Sequence, residues 1–197
     1  MSSCIPFNQV DVQNIVFKPT RTTEYGAKFI PIKDAFNNLL RFYSPKCKAP
    51  FGLKSKTLVH GKTINYVELS AQPHFETKLR EIDAHVLDYV KQNSEFIFTD
   101  KIDAEDIDDM FFKSVKDSKN AKYLPLFKAT LSQSCTYYNN QNKQIPPPPD
   151  KFTAEYILEC NGVYFGKKNF YLSWNVMQVR VATPEKITGY AFIDDDD

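Results

Sequence analysis

Three stretches of the chain mix basic and aromatic side chains, and these are the residues best suited to binding chemistry. They cover residues 41–56, 112–128 and 164–180. Cationic side chains neutralise phosphates, and aromatic faces stack on unpaired bases at about 1–3 kcal/mol for each base. The mixture predicts a surface for single-stranded nucleic acid, although any one stretch alone is more typical of solvated lysines beside core aromatics. The candidate phosphate contacts are Arg41, Lys54, Lys56, Lys113, Lys116, Lys119, Lys122, Lys167 and Lys168. The candidate stacking residues are Phe42, Tyr43, Tyr123, Tyr171 and Trp174, among which Trp174 best fits a core position instead.

A carboxylate cluster within residues 103–109 is the strongest catalytic candidate, because it could hold the Mg²⁺ ion of a nuclease. It lacks the glycine and the closing glutamate of an EF-hand loop, and no second cluster offers a lysine or histidine beside it. Acidic residues at the start of a helix, where they favour the positive end of the dipole, are the simpler interpretation. The chain also lacks the common nucleophile and phosphate-loop motifs and has only six glycines. We therefore expect no enzymatic activity, no metal site and no cofactor. The cluster consists of Asp103, Glu105, Asp106, Asp108 and Asp109.

The net charge of +1 conceals opposed blocks of charge along the chain. Residues 16–62 carry ten basic and two acidic side chains, whereas residues 63–112 carry four basic and twelve acidic ones. Residues 113–193 carry eleven basic and five acidic side chains, and four aspartates follow. Such segregation predicts electrostatic partners for each block.

The acidic end GYAFIDDDD has two interpretations. Acidic ends often only solubilise a protein. In a protein with cationic grooves, a polyanion can also occupy the groove, be displaced by nucleic acid and then recruit replication proteins. We assign Phe192 and Asp194, Asp195, Asp196 and Asp197 to this tail.

Hydrophobic periodicity predicts a mainly β fold with one inserted helix. Over residues 74–92 apolar residues recur at three- and four-residue steps, which indicates an amphipathic helix whose acidic residues, Glu76, Glu81, Asp83 and Asp88, form a solvated face. Residues 100–112 are predicted as an acidic loop leading into a short helix, and IPPPP at 145–149 as a spacer or an ordered loop. This order fits an elaborated OB-type β-barrel at 1–189, with the tail at 190–197. Extended segments are predicted at 12–18, 27–32, 36–43, 63–70, 122–139, 152–160, 162–165 and 170–182.

Three segments carry a resemblance to a known family. FYSPKCKAPFGLKS, SVKDSKNAKYLPLFKATL and GVYFGKKNFYLSWNVMQVRV together resemble the OB-fold single-stranded DNA-binding proteins of nucleocytoplasmic large DNA viruses. The architecture is also similar to that of tailed-phage proteins with an OB-fold, an inserted helix and an acidic end. The resemblance implies coating of exposed DNA strands during viral replication, recombination and repair, without base specificity. This tail ends in aspartate rather than in an aromatic residue.

A protein–protein adaptor or virion component is the alternative, in which the basic and acidic blocks pair between subunits of an oligomer. The sequence has no secretory signal and no apolar run of 18 residues, and its four cysteines are far apart. We expect an intracellular protein with free thiols and no membrane contact, which the resemblance places in the host cytoplasm or the virion. The motifs do not separate DNA from RNA as the partner.

Overall fold

The computed structural model describes residues 4–24, 26–58, 61–98 and 102–182. The strands are β1 (Ile5–Pro6), β2 (Val16–Phe17), β3 (Arg21–Thr22), β4 (Lys28–Lys33), β5 (Leu40–Tyr43), β6 (Cys47–Ala49), β7 (Leu53–Thr57), β8 (Thr63–Ser70), β9 (Phe111–Phe112), β10 (Val115–Lys116), β11 (Leu126–Tyr138), β12 (Gln144–Ile145), β13 (Phe152–Phe165) and β14 (Phe170–Val181). The helices are α1 (Pro73–Gln92), α2 (Ser94–Ile97) and α3 (Ala104–Met110), and single 3-10 turns cover Phe7–Gln9 and Val12–Asn14.

The long strands form one curved sheet in the order β5–β13–β14–β11–β8–β7. Strands β11 and β14 run parallel, whereas β13–β14, β11–β8 and β7–β8 are antiparallel pairs. Strand β6 pairs with β13 and also lies against β8, which closes the sheet into a barrel. The predicted fold class is confirmed: the chain is mainly β, with an OB-type barrel and an amphipathic helix inserted between β8 and β11.

Strand β13 is continuous through the two segments that the sequence predicted separately, and Gly162 provides the bend between them. The strand pairs with β5 up to Cys160 and with β4 from Gly162 onward, with a register shift at this point. Gly162 has a φ of 149°, and a Cβ there would overlap the carbonyl oxygen of Ile30. Only glycine allows β4 to approach so closely, and the bend aligns β4 with the end of the β13–β14 hairpin.

Helix α1 covers one opening of the barrel and confirms the helix predicted at 74–92. Its apolar stripe packs inward, and Phe75 meets Phe127 of β11 edge to face, at 5.9 Å between ring centroids. The N-terminal segment lies on the other side of the helix, where Phe17 stacks on Tyr89 at 3.7 Å. The prediction that Asp83 belongs to a solvated acidic face is wrong, because this residue is buried.

The strand predicted at 12–18 is the clearest error in the N-terminal region. The carboxylate of Asp11 accepts a hydrogen bond from the backbone N–H of Gln13, which favours the 3-10 turn that replaces the first half of that strand. Within 36–43 and 122–139 only the C-terminal parts are strands, because turns occupy 35–38 and 121–123. Within 145–149 only Ile145 pairs in a strand, and the prolines form a loop. The tail at 190–197 lies outside the described residues.

Candidate nucleic-acid interface

An aromatic row crosses four strands on the outer surface of the barrel. It consists of Phe29 on β4, Tyr164 on β13, Tyr171 on β14 and Phe112 on β9. Backbone register places each residue directly beside the next. Paired residues of neighbouring strands point to the same face, so the four rings share one side of the sheet.

The rings of the row keep enough exposed surface to meet a planar ligand. Phe112 is 57% exposed and Tyr171 38% exposed, whereas Phe29 and Tyr164 are half-buried. The ring centroids of Tyr164 and Tyr171 lie 5.6 Å apart, and those of Phe29 and Tyr164 6.5 Å apart. Partial burial, followed by the neighbouring Tyr164, raises the pKa of Tyr171, so this side chain stays neutral at physiological pH. The row is therefore an uncharged aromatic surface on which a planar ligand can stack.

Four cations surround the aromatic row. Arg21 of β3 is the register partner of Phe29, and Lys113 follows Phe112 in the chain. Lys167 and Lys168 are exposed in the tight turn between β13 and β14, which the backbone hydrogen bond from Gly166 N to Asn169 O closes at 2.7 Å. None of these four cations forms an ion pair with a residue that the structure describes. They are available to external anions.

A second cationic surface, the sheet face, is formed by the outward residues of β7, β8 and β11. Here Lys54 stands opposite Tyr66, and Glu68 stands opposite Lys128. The Lys128 Nζ lies 3.9 Å from the centroid of the Tyr66 ring, and Lys54 forms an ion pair with Glu68 at 3.2 Å. Lys56 extends the face toward the end of the hairpin and is exposed. Lysines from the two basic blocks of the sequence thus meet across a single strand.

The segment 111–116 connects the aromatic row with the sheet face and is anchored from below. Ser114 donates hydrogen bonds to the buried Asp83 carboxylate from its backbone N–H (2.7 Å) and from its hydroxyl (2.6 Å). The same hydroxyl accepts a hydrogen bond from Trp174 Nε1 at 2.9 Å. Burial is the main cause that raises the pKa of Asp83 to about 6, and the hydrogen bonds from Ser114 oppose it. This network fixes the backbone of the segment and therefore the positions at which Phe112 and Lys116 project from the surface.

The loop 117–125 presents three of the residues predicted for binding. Asn120 shapes it, since its side-chain oxygen accepts the backbone N–H of Lys122 and its carbonyl accepts that of Tyr123, both at 3.0 Å. Tyr123 is 69% exposed, and Lys119 and Lys122 are exposed beside it. The loop enters β11 next to the end of β8, at the rim of the sheet face.

Two predicted stacking residues lie in the core instead. Phe42 is completely buried and Trp174 is 4% exposed, and their rings meet edge to face at 5.6 Å. Neither ring offers a face to a base, so their assignment to the interface is wrong. Both occupy inward positions of their strands, where alternation directs a side chain into the barrel.

Arg41 and Tyr43 of β5 lie on the outer surface but away from the aromatic row. Arg41 forms an ion pair with the buried Glu159, its register partner on β13. Because this arginine is already paired, it is a weaker phosphate contact than the free lysines. Tyr43 is 39% exposed and faces a separate groove.

The helical layer carries the opposite charge. Acidic residues of α3 are exposed, and Asp108 pairs with Lys91 of α1 at 2.7 Å. Over the described part of the chain, no three histidine, cysteine or acidic side chains come close enough to hold a metal ion. All four cysteines, which lie within that part, are free. No helix there is both long enough and apolar enough to span a bilayer.

The sequence did not identify several residues of these surfaces as binding candidates. Arg21, Phe29 and Tyr164 join the site only through the pairing of β3, β4 and β13. Tyr66 and Lys128 occupy outward positions of β8 and β11. Strand alternation in TINYVELS would have exposed Tyr66, but nothing local indicates that β7 and β11 place lysines on either side of it.

Comparison with known proteins gives a family and several solved structures. The single-stranded DNA-binding protein of bacteriophage Enc34, solved in complex with single-stranded DNA, gives a TM-score of 0.47 at 10% identity, covering 96% of this chain and all of the phage protein. The single-stranded DNA-binding protein gp2.5 of bacteriophage T7 gives a TM-score of 0.48 at 12% identity, covering 77% of this chain and 91% of that protein. A search of curated proteins finds no sequence match.

The family model that matches this sequence is described as a family of unknown function, DUF5871, and it spans residues 59–194. This range contains β8, the inserted helix α1 and the long strands β11, β13 and β14. Since the match covers more than half of the chain, the protein belongs to the DUF5871 family.

Proposed function

We propose that the chain is a non-enzymatic protein that binds single-stranded DNA without a defined target sequence. The observation that carries this proposal is the aromatic row, an uncharged platform of four outward rings surrounded by cations that form no ion pair with the described residues. Bases stack on the rings while the cations bind phosphates, and neither contact depends on the identity of the base.

The bound DNA strand follows the outer surface of the barrel from the aromatic row to the sheet face. In OB barrels the surface of the second and third strands, together with loops that include the one between the fourth and fifth strands, binds oligonucleotides. Here β8 and β11 take the second and third places, and the turn at 166–169 joins the fourth and fifth strands. Lys113 and Lys116 lie between the two surfaces, so a bound backbone meets cations throughout.

The acidic end completes the proposal. Residues 1–189 form the binding domain, and residues 190–197 form a tail that competes with DNA for the cationic surfaces and recruits replication proteins. The viral resemblance supports a role in replication, recombination and repair inside an infected cell. Deletion of Asp194–Asp197 is expected to tighten DNA binding at low salt, and an unchanged affinity would refute the competition.

Fluorescence anisotropy tests the proposed function directly. A labelled 20-nucleotide oligothymidine and a duplex of equal length are titrated with the full chain at two salt concentrations. We expect strong preference for the single strand and a steep loss of affinity at higher salt. Equal or absent binding to both probes would refute the proposal, and a salt-sensitive oligomer that ignores DNA in light scattering would favour the adaptor instead.

A further inference from the structure

A groove on the outer face of the sheet lies at the opposite end of β13–β14 from the aromatic row. It has a volume of about 690 Å³, and its lining includes Tyr43 of β5 and Tyr138 of β11. Ile157 and Gln178 lie between them on the two central strands, and Ile157 is the register partner of both Tyr43 and Gln178. Two aromatic side chains therefore border an opening that has an apolar residue and an amide between them.

The charges at this groove differ from those around the aromatic row. Arg180 lines the groove and pairs with Glu155 at 2.5 Å, and Arg41, which lines an adjoining groove with Tyr138 and Gln178, pairs with Glu159. With both arginines neutralised by neighbouring carboxylates, the groove favours an uncharged ligand over a phosphate. Two rings and an amide suit a planar heterocycle that has hydrogen-bonding edges.

Gln178 is the group that can recognise such an edge. It is exposed, and its side chain forms no hydrogen bond with any residue that the structure describes. A side-chain amide offers both a donor and an acceptor, as does the Watson–Crick edge of a base.

The groove is within reach of a strand bound at the aromatic row. Tyr171 and Gln178 are seven residues apart on β14, or about 23 Å at the rise of a β-strand. The register shift between Val176 and Gln178 brings both side chains to the outer face despite this odd spacing. A single oligonucleotide that lies along β14 meets both surfaces.

We propose that the groove takes one unpaired nucleobase of the bound strand, with Tyr43 and Tyr138 as walls and Gln178 as the group that reads its edge. The inference rests on the proposed function and adds a subsite that gives a preference for base composition. The aromatic row holds bases of any kind, whereas the groove selects one.

Photocrosslinking tests the subsite separately from DNA binding itself. A set of 20-nucleotide oligothymidines carries one 5-iodouracil at successive positions, and the crosslinked peptides are sequenced by mass spectrometry. We expect crosslinks to Tyr43 or Tyr138 at positions a fixed number of nucleotides from those that crosslink to Phe112 or Tyr171. Crosslinks at the row without any at the groove would overturn the inference and leave the proposed function intact. No binding of any oligonucleotide would refute both.

A matched pair of variants tests the reading role. Gln178→Ala removes the amide, and Gln133→Ala removes a similarly exposed amide on β11 that does not line the groove. The affinities of the chain for oligo(dT), oligo(dC) and oligo(dA) of equal length are compared. We expect the wild-type chain and Gln133→Ala to share a preference of at least about threefold, and Gln178→Ala to lose it. Equal affinity of the wild-type chain for all three homopolymers, or an unchanged preference in Gln178→Ala, would overturn the assignment of Gln178.

Discussion

The two faces of the β13–β14 hairpin carry similar side chains in opposite surroundings. On the inner face Phe165 and Phe170 stack at 5.3 Å between centroids and are buried. One residue away on the outer face, Tyr164 and Tyr171 lie at almost the same separation, 5.6 Å, but remain partly exposed. Alternation along a strand thus divides neighbouring aromatics between the core and the exposed aromatic row.

The inner pair belongs to a larger cluster in the core, and this cluster accounts for several of the aromatic residues that make up 14% of the chain. Phe98 and Phe111 both contact the ring of Phe170, at 6.5 and 5.1 Å between centroids. These contacts seal the end of the barrel beneath the aromatic row. The outer rings keep more of their surface exposed than the inner pair does, which leaves their faces accessible to a ligand.

Replacement of single rings on the two faces should separate stability from binding. Phe170→Ala is expected to lower the free energy of unfolding by about 3–5 kcal/mol, because it empties a packed site in the core. Tyr171→Ala, on the same strand, is expected to lower it by only about 1 kcal/mol, because this ring is partly exposed and packs on Tyr164 across the strand pair. Urea unfolding followed by circular dichroism measures both. Equal destabilisation by the two variants would show that the outer ring is part of the core.

The stability that Asp83 contributes beneath segment 111–116 should depend on pH. Asp83 has a raised pKa of about 6, so the folded chain binds a proton more tightly than the unfolded chain, where the value is near 3.8. Its contribution to stability is present below about pH 4 and is lost as the pH rises through 6, a change of up to about 3 kcal/mol. Asp83→Asn removes this change.

Unfolding by urea at pH 4, 5, 6 and 7 measures this contribution as the difference between the wild-type chain and Asp83→Asn. Asp88→Asn, at an exposed position of the same helix, is the control and should follow the wild-type curve. An identical pH dependence in the wild-type chain and Asp83→Asn would contradict a buried carboxylate beneath Ser114.

The cations beside the outer face should be visible in the salt dependence of binding. Lys167→Ala/Lys168→Ala removes two proposed phosphate contacts, so the slope of log affinity against log salt should become shallower by about 1.4. Lys78→Ala/Lys91→Ala changes the net charge equally on α1, where both lysines already pair with carboxylates. The two double variants are compared by anisotropy titrations at salt concentrations of about 50 to 300 mM, a range in which such slopes are measurable. Equal slopes in the two double variants would contradict phosphate contacts by Lys167 and Lys168, because a change of net charge alone would then explain the result.

The sequence predicted the barrel and its helix because periodicity is a local property. The 63–70 strand and the 74–92 helix were found by period alone, and both agree with the structure. The burial of Phe42 was missed, because a lysine-rich neighbourhood masked the alternation that directs it inward. The aromatic row was not predicted, since Phe29, Tyr164 and Phe112 become neighbours only through strand pairing.

The most direct test of the central claim compares two pairs of exposed aromatics. Phe112→Ala/Tyr171→Ala removes the two most exposed rings of the aromatic row. The control, Phe36→Ala/Phe96→Ala, removes two rings that are more exposed still but lie outside both proposed surfaces. Tyr171→Phe keeps the ring and should bind as the wild-type chain does. By anisotropy with a labelled oligothymidine, we predict that the first pair loses about 2 kcal/mol or more of binding free energy and that the second loses none. Equal affinities for the two double variants would contradict the assignment of the aromatic row as the surface that stacks DNA bases.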